Sequence, residues 1–299
     1  MSTRFPEWIR RKWASGQNFT MTKEVIEKLQ LHTVCQSAQC PNLGECWSRR
    51  TATFMVLGNT CTRSCRYCSV DGGKPEALDA EEPRHVAEAV AAMELRHAVI
   101  TSVTRDDLTD GGADHIGQVI EAVHALNPET TVEILVPDFK GDRDAIARVL
   151  AAKPEVFSHN IETVERIYPI IRSKRFGYRQ ALDVLRIATE LAPQAIVKSA
   201  LMAGHGETAD EVRATLLDLL EAGCSAVNIG QYLQPTKKQR EVHEYVHPSQ
   251  FQAYQELAYT LGFEFAVAGP FVRSSYRSEE MMDARFARDR VLAGRRTET

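Results

Sequence analysis

From residue 53 onward, short β-like runs alternate with amphipathic helical segments, and this alternation constrains the possible folds of the chain more than any other feature. In one helical segment Val212, Leu216 and Leu219 recur at the spacing that places side chains on a single helix face. Pro83 and Gly223 lie where helices are expected to begin and to end. Six successive strand–helix units predict an α/β fold with a parallel sheet, either doubly wound or a complete or partial barrel. The β-like runs are residues 54–57, 98–103, 132–136, 156–161, 196–201 and 227–230, with a last run at 263–267.

Six of the seven cysteines lie within 34 residues, and the second group of three follows the first β-like run closely. Parallel α/β folds carry their chemistry in the loops at the carboxyl ends of the strands, so this group occupies the position of an active-site loop. Cys224 instead precedes an apolar run, which indicates a small buried hydrophobic residue. The two groups are Cys35, Cys40 and Cys46, and Cys61, Cys65 and Cys68.

Three thiolates in each group indicate iron–sulfur chemistry more than structural zinc. A structural zinc ion takes four closed ligands, whereas a four-iron cluster takes one ligand per iron, so three cysteines leave one iron for another ligand or a substrate. The alternative is a pair of zinc knuckles completed by histidines such as His32. No histidine lies between Cys35 and Cys68, and no CxxC pair repeats, so zinc is the less favoured interpretation.

The charge balance of the chain excludes a bulk positive field. Lysine and arginine total 36 against 40 aspartate and glutamate residues, a net charge of −4, so we expect no nucleic-acid partner and no membrane partner. No apolar run approaches the ~20 residues of a membrane helix. Residues 1–17 are basic but lack the apolar core of a secretory signal. A transit peptide is the alternative, which Glu7 and the two tryptophans disfavour, so we predict a reducing, cytoplasmic location.

The segment CTRSCRYC, residues 61–68, resembles the motif of the radical S-adenosylmethionine (SAM) superfamily, CxxxCxxC with an aromatic residue before the last cysteine. The resemblance implies that Cys61, Cys65 and Cys68 hold a four-iron cluster whose open iron is chelated by the amino and carboxylate groups of SAM. It also implies reductive cleavage of SAM to methionine and a 5′-deoxyadenosyl radical. The partial (β/α)6 TIM-like barrel of that superfamily agrees with the six strand–helix units.

Further motifs resemble the lipoyl synthase family, over about residues 35–277. That family inserts two sulfur atoms, at C6 and C8 of an octanoyl chain on a lysine of a lipoyl carrier domain or a glycine-cleavage H protein. The resemblance therefore implies two SAM molecules per product, a low-potential electron donor, and an iron–sulfur carrier protein that rebuilds a consumed cluster. The motifs are AQCPNLGECW (38–47), DDLTDGG (106–112), HNIET (159–163), GQYLQP (230–235) and RSSYR (273–277).

The lipoyl synthase resemblance also implies a second, auxiliary four-iron cluster. Cys35, Cys40 and Cys46 would hold this cluster, which is the sulfur donor of the family. A serine of the RSSY motif would be its fourth ligand, and we favour Ser275 over Ser274. An alkoxide is a harder ligand than a thiolate, so the iron that it binds would be released more easily when the cluster is dismantled.

Residues that contact SAM are expected among polar side chains at or just after strand ends, together with the aromatic residue of the cysteine motif. One departure from the family pattern is that Ala200 and His205 stand where glycine and an apolar residue are more usual. This departure bears on local contacts and not on the reaction. The predicted SAM contacts are Tyr67, Thr101, Asn160, Glu162 and Lys198.

Together these features predict three parts of the chain. An N-terminal extension with the auxiliary cysteines spans residues 1–50, a partial barrel of the radical SAM type spans 51–270, and a C-terminal extension with RSSY spans 271–299. Two other functions stay open. One is a radical SAM methylthiotransferase, which usually adds an RNA-binding module that is not visible in this sequence. The other is a non-enzymatic metal-binding or electron-transfer protein.

Overall fold

The computed structural model describes residues 5–10, 15–172 and 177–297, and of residues 288–297 only the backbone is described. Part of the basic N-terminal segment and the end of the predicted C-terminal extension lie outside these residues. The division into three parts at residues 50 and 270 stays a prediction. No helix in the described ranges has the length and apolar character that a membrane crossing requires.

Seven parallel strands form the central sheet, and one short antiparallel strand extends its edge. The strands are β1 (His32–Thr33), β2 (Thr53–Val56), β3 (Thr60–Cys61), β4 (Asp71–Gly72), β5 (His97–Ser102), β6 (Thr131–Leu135), β7 (Val156–Ser158), β8 (Ile196–Ala203), β9 (Ala226–Gln231) and β10 (Phe265–Gly269). Strands β3 and β4 form a separate two-stranded sheet.

Helices follow most of the strands. They are α1 (Gln17–Lys28), α2 (Val34–Ser37), α3 (Leu43–Ser48), α4 (Glu82–Ala92), α5 (Ala113–Leu126), α6 (Arg143–Ala151), α7 (Tyr168–Ile171), α8 (Tyr178–Leu191), α9 (Ala209–Glu221), α10 (Pro248–Leu261) and α11 (Ser278–Thr297), with short 3-10 turns at Glu7–Ile9 and Phe139–Gly141. The predicted helix boundaries are confirmed, because α4 has Pro83 in its first turn and α9 ends just before Gly223.

The order of the strands decides between the two architectures that the sequence left open. The sheet runs β1-β2-β5-β6-β7-β8-β9-β10, so each parallel strand joins the same side of its predecessor. A doubly wound sheet reverses direction at a switch point, whereas this order is that of a barrel. No pairing among the described residues joins β10 to β1 or β2, so the barrel is partial, as the prediction stated.

Burial explains why these segments form this sheet. All four residues of β2 are buried, and so are all six of β9, as expected of strands covered on both faces. On α9 the side chains of Val212, Leu216 and Leu219 are fully buried, which confirms their predicted common face. Thr208 and Glu211 form a reciprocal capping box at the start of that helix.

Two local features differ from the sequence prediction. The run 156–161 is a strand only as far as Ser158, because Ile161 donates its N–H to the Ser199 hydroxyl and Glu162 turns to a φ of 68°. The two-residue strand β1 and the β3–β4 pair were not predicted, since segments of that length carry no readable alternation.

The last helix, α11, lies at the amino-terminal end of the barrel. Met281 and Met282 are buried there against Val156, Ile196 and Ala226, which are the first residues of β7, β8 and β9. This packing leaves the carboxyl ends of the strands for the loops that carry the cysteines.

Candidate active site

The interior of the barrel contains one large cavity of about 420 Å³. Its wall combines strand ends, the two cysteine segments and the C-terminal RSSY motif, which are far apart in sequence. Of the predicted site residues, those that line the cavity are Cys35, Cys40, Cys61, Cys65, Cys68, Tyr67, Thr101, Asn160, Glu162 and Ser275, together with Ser274.

The loop of the second cysteine group is fixed by a buried arginine. Arg63 donates from Nη2 to Asp106 Oδ1 at 2.8 Å and also pairs with Asp138. Burial opposes ionisation of Asp138, but the Arg63 guanidinium outweighs it and lowers the pKa of that carboxyl. The Arg63 N–H lies 3.4 Å from Cys61 Sγ, so this ion pair sets the backbone beside the first cysteine.

Two other segments hold the same loop through main-chain atoms. Gln239 donates from Nε2 to the Cys68 carbonyl at 3.0 Å. The N–H of Arg240 donates to the Arg66 carbonyl, and the N–H of Arg66 donates to the Ile171 carbonyl, both at 2.8 Å. The loop between β9 and α10 and the end of α7 therefore fix the cysteine motif in place.

The thiols of the second group lie close together in a poorly solvated place. Burial raises the pKa of Cys68 to about 12, and the neighbouring Cys65 and Cys61 add to the rise. Three adjacent buried thiols lose their protons near neutral pH only if cations bind them, and iron lowers a thiol pKa by direct coordination. None of the seven cysteines, all of which lie in the described ranges, forms a disulfide. No trio of His, Cys, Asp or Glu in the described ranges converges on a single-ion site.

The first cysteine group lies on two short helices of the N-terminal segment. Cys35 lies on α2, whose Thr33 cap accepts the Gln36 N–H at 3.4 Å. Cys40 follows directly and donates its N–H to the Cys35 carbonyl at 3.0 Å. Burial raises the pKa of Cys35 to about 11, and Cys40 contributes to the rise. Cys46 is half-buried on α3 and does not line the cavity.

One threonine connects this group to the RSSY motif. The Thr53 hydroxyl donates to Ser275 Oγ at 2.9 Å, across 222 residues of sequence. Thr53 also hydrogen-bonds the thiol of Cys35. The Ser275 hydroxyl and the first cysteine group are therefore neighbours on the same wall.

Tyr67 and Glu162 share a half-buried arginine, Arg172, that the sequence motifs did not indicate. Arg172 donates from Nη1 to the Tyr67 hydroxyl at 2.9 Å and lies 3.9 Å from Glu162 Oε1. Burial raises the pKa of Glu162, and the positive charge of Arg172 opposes that rise. Glu162 also adopts a φ of 68°, a left-handed conformation rare for a side chain of this type and enriched at functional sites.

Several polar atoms on the cavity wall have no hydrogen-bond partner within the protein. They include Asn160 Oδ1, His159 Nε2 and Ser102 Oγ, and each is buried. His159 donates from Nδ1 to the Val136 carbonyl at 2.9 Å, and burial lowers its pKa to about 4. Its ring is therefore neutral near pH 7, with Nδ1–H donating and Nε2 left as an acceptor. Buried polar atoms are normally satisfied, so this wall fits a ligand rich in amino and hydroxyl groups.

Lys198 is the one predicted SAM contact that the structure does not bring to the cavity. Its Nζ is buried and donates to Glu133 Oε1 at 2.9 Å and to Ser278 Oγ at 2.8 Å. The prediction assumed a position at a strand end, but Lys198 is the third residue of the eight-residue β8, near its amino end. The structure therefore places Lys198 apart from the cavity that the other predicted SAM contacts line.

His205, noted as a departure from the family pattern, is a buried aromatic residue. Its ring stacks on Tyr232 with centroids 4.2 Å apart, and neither ring nitrogen has a hydrogen-bond partner. Burial lowers the pKa of His205 from 6.5 to about 4, and Arg240 adds to the effect. The unfolded chain takes up a proton near pH 6.5 but the folded chain does not, so stability falls as the pH drops from about 6.5 to about 4.

A His205→Phe variant is expected to flatten this pH dependence, because phenylalanine keeps the stacked ring and removes the titration. Lowering the pH from 7 to 5 should therefore reduce the free energy of unfolding of the parent by about 2 kcal/mol more than that of the variant. Denaturant unfolding of both proteins at the two pH values checks it. Parallel stability curves for the two proteins would contradict the expectation.

Comparison with known proteins assigns the family. Residues 55–219 match the radical SAM superfamily. A lipoyl synthase of Caldicellulosiruptor saccharolyticus is 49% identical over 94% of this chain and 98% of its own length. Those of Caldanaerobacter subterraneus and Rubrobacter xylanophilus are each 50% identical over 93% of this chain, and over 97% and 86% of their own lengths. The chain belongs to the lipoyl synthase family. The resemblance that the motifs indicated is confirmed.

Solved structures with low sequence identity support the fold of this lipoyl synthase family member. The hydrogenase maturase HydG of Carboxydothermus hydrogenoformans superposes with a TM-score of 0.57 at 13% identity, over 88% of this chain and 78% of that chain. Methylornithine synthase superposes with a TM-score of 0.55 at 11% identity, over 86% and 90%. At such identities the likeness concerns the fold alone.

Family membership decides among the functions that the sequence left open. The chain is a radical SAM sulfur-inserting enzyme of the lipoyl synthase family, and not a methylthiotransferase or a non-enzymatic metal-binding protein. As a radical SAM enzyme it uses SAM and a four-iron cluster. The three thiols of the second cysteine group on the cavity wall fit the cluster, and the unpartnered acceptors of Asn160 and His159 fit SAM.

Proposed function

We propose that the chain inserts two sulfur atoms, at C6 and C8, into an octanoyl group carried on a lysine of a lipoyl carrier domain or a glycine-cleavage H protein. The observation that supports it most is that cysteines of both groups and the RSSY serines line the same cavity. A carbon radical generated at one group would thus lie beside a sulfur source at the other. A cavity of about 420 Å³ leaves space for an extended acyl chain between them.

On the first side of the cavity, Cys61, Cys65 and Cys68 would hold the cluster that works with SAM. The bound cluster and SAM supply a primary carbon radical, which is what removal of hydrogen from an unactivated carbon needs. The loop contacts of Arg63 and Gln239 keep the three thiolates in a fixed arrangement.

The polar wall next to this loop would bind SAM. Tyr67, fixed by Arg172, would lie against the adenine. Asn160 and Glu162 would accept hydrogen bonds from amino and hydroxyl groups of the bound molecule. Thr101 already donates its hydroxyl to the Leu135 carbonyl, so it would act as an acceptor.

On the second side, Cys35, Cys40 and Cys46 would hold an auxiliary four-iron cluster, which is a substrate because its sulfide is consumed. We propose Ser275 as the fourth ligand. The support for Ser275 over Ser274 is its hydrogen bond to Thr53, which also contacts Cys35.

The proposed reaction requires three kinds of partner. An octanoylated carrier protein presents the substrate, a low-potential electron donor reduces the cluster, and an iron–sulfur carrier protein rebuilds the consumed auxiliary cluster. The open side of the partial barrel is the route by which a protein-borne acyl-lysine would enter.

An octanoyl-lysine peptide tests this function without any knowledge of the carrier. With SAM and a strong reductant under anaerobic conditions, we expect formation of 5′-deoxyadenosine that depends on the peptide, and a peptide mass that rises by two sulfur atoms. A control peptide with an unmodified lysine, without the octanoyl group, should give neither product. Peptide-dependent SAM cleavage without any gain of sulfur would overturn the proposal.

A further inference from the structure

The segment that carries the RSSY motif runs along the inside of the barrel. We name residues 271–278 the C-terminal strap. Near its start the Val272 carbonyl lies so close to Gly230 that a Cβ at that position would approach it to 2.0 Å. Further along, Asn228 donates from Nδ2 to the Arg273 and Ser274 carbonyls at 2.8 Å each. Gly230 and Asn228 are two residues apart on β9, so they face the same side of the sheet.

The other end of the strap reaches the amino-terminal end of the barrel. Ser278, the first residue of α11, is buried and its hydroxyl accepts from Lys198 Nζ at 2.8 Å. Along the strap, the contacts with β9 therefore precede Ser275, and this contact with β8 follows it. Thr53 on β2 is the third contact and reaches the Ser275 hydroxyl itself.

Lys198 is held in place by a buried carboxylate. Its ammonium lies 2.9 and 3.0 Å from the two oxygens of Glu133, and both side chains are buried. Burial opposes ionisation of Glu133, but Lys198 and His97 outweigh it and lower the pKa of that carboxyl to about 2. Glu133 also accepts from the Ser158 hydroxyl at 2.9 Å. A buried ion pair whose remaining hydrogen-bonding groups are satisfied has one defined geometry, so the third proton of Lys198 is aimed in a fixed direction.

We propose that Lys198 is a positioning residue for the sulfur-donating side of the site: its ammonium anchors Ser278 and so fixes the C-terminal strap that presents Ser275 to the cavity. The inference rests on the proposed function only in the role given to Ser275. Lys198 does not line the cavity, and it acts through Ser278 and the two residues, Tyr276 and Arg277, between Ser278 and Ser275.

Two serines bonded to the same ion pair provide a matched test. Ser278→Ala removes the anchor of the strap and leaves the Lys198–Glu133 pair intact. Ser158→Ala removes an equally buried hydroxyl from Glu133 but does not touch the strap. A purely structural role of the ion pair predicts similar effects of the two substitutions, whereas the anchor role predicts an effect on the strap from Ser278→Ala alone.

The first measurement is hydrogen exchange of the strap amides in the full, cluster-loaded chain. Loss of a hydrogen bond to a charged group should speed exchange of the strap by about tenfold in Ser278→Ala. Ser158→Ala should leave it near the parent rate, and Ser278→Thr, which keeps the hydroxyl, should restore it. Unchanged strap exchange in Ser278→Ala, or an equal increase in Ser158→Ala, would overturn the inference.

The second measurement is the rate at which a chelator removes iron. In Ser278→Ala we expect faster loss of about four irons, with the remaining four released at the parent rate. Ser275→Ala separates this inference from the proposed function. If Ser275→Ala does not change the iron release while Ser278→Ala still frees the strap, the ligand role of Ser275 fails and the anchor role of Lys198 stands. If Ser275→Ala speeds iron release and Ser278→Ala changes neither measurement, the ligand role stands and the anchor role fails.

Discussion

A Cys65→Ala variant is expected to show neither SAM cleavage nor sulfur insertion above background. Cys65 is the central member of the second cysteine group, and its thiol lies beside those of Cys61 and Cys68 on the cavity wall. With two thiolates left, the group would no longer hold the cluster firmly, and both SAM cleavage and sulfur insertion would depend on that cluster. Anaerobic assays of 5′-deoxyadenosine and of product mass, on protein of known iron content, check the expectation.

The matched control for this variant is Cys224→Ala. Cys224 is buried in the apolar core and lies outside the cavity wall, so the same chemical change is made where no ligand role is expected. We expect this control to retain iron content and activity near the parent values. A Cys65→Ala variant that still cleaves SAM at the parent rate would contradict the assignment of the second group.

A Cys40→Ala variant is expected to separate the two halves of the reaction. Cys40 lines the cavity in the first group, and its N–H bonds the Cys35 carbonyl. If this group holds the sulfur donor, its loss removes sulfur insertion, while SAM cleavage continues at a substantial fraction of the parent rate. Iron content should fall from about eight to about four atoms per chain.

The ratio of lipoyl product to 5′-deoxyadenosine is the measurement for this variant. It should drop to background in Cys40→Ala and stay at the parent value in Cys224→Ala. Sulfur insertion at the parent ratio in Cys40→Ala, with half the iron gone, would show that the first group is not the donor.

The sequence predicted those parts of the site that depend on local pattern. Alternating runs specify strands and helices from neighbouring residues alone, so the parallel sheet and the placement of Cys61 after β2 were predicted correctly. The Val156 run was overextended because the apolar Ile161 was counted as part of the strand, whereas the backbone leaves the sheet after Ser158. A hydrophobic pattern in the sequence indicates the polarity of the side chains, but not the residue at which the backbone leaves the sheet.

The parts of the site that were missed depend on contacts between distant segments. Lys198 has the polarity expected of a ligand contact, but its partner Glu133 is 65 residues away in sequence. The two residues meet because β6 and β8 lie on either side of β7 in the sheet. Arg63 and Arg172 hold the site through ion pairs with acidic residues of other loops, which only the folded chain brings close to them. An arginine is usually exposed on a protein surface, so the sequence does not indicate the burial of Arg63 within the cysteine motif.

The origin of the inserted sulfur is the most direct test of the account. The clusters are rebuilt in the purified chain with sulfide enriched in a heavy sulfur isotope, and a single turnover is run with the octanoyl-lysine peptide and unlabelled SAM. We predict a product that carries two heavy sulfur atoms, with at most one product molecule per chain. A product whose sulfur has natural isotopic abundance would contradict a sulfur-donating cluster in this cavity.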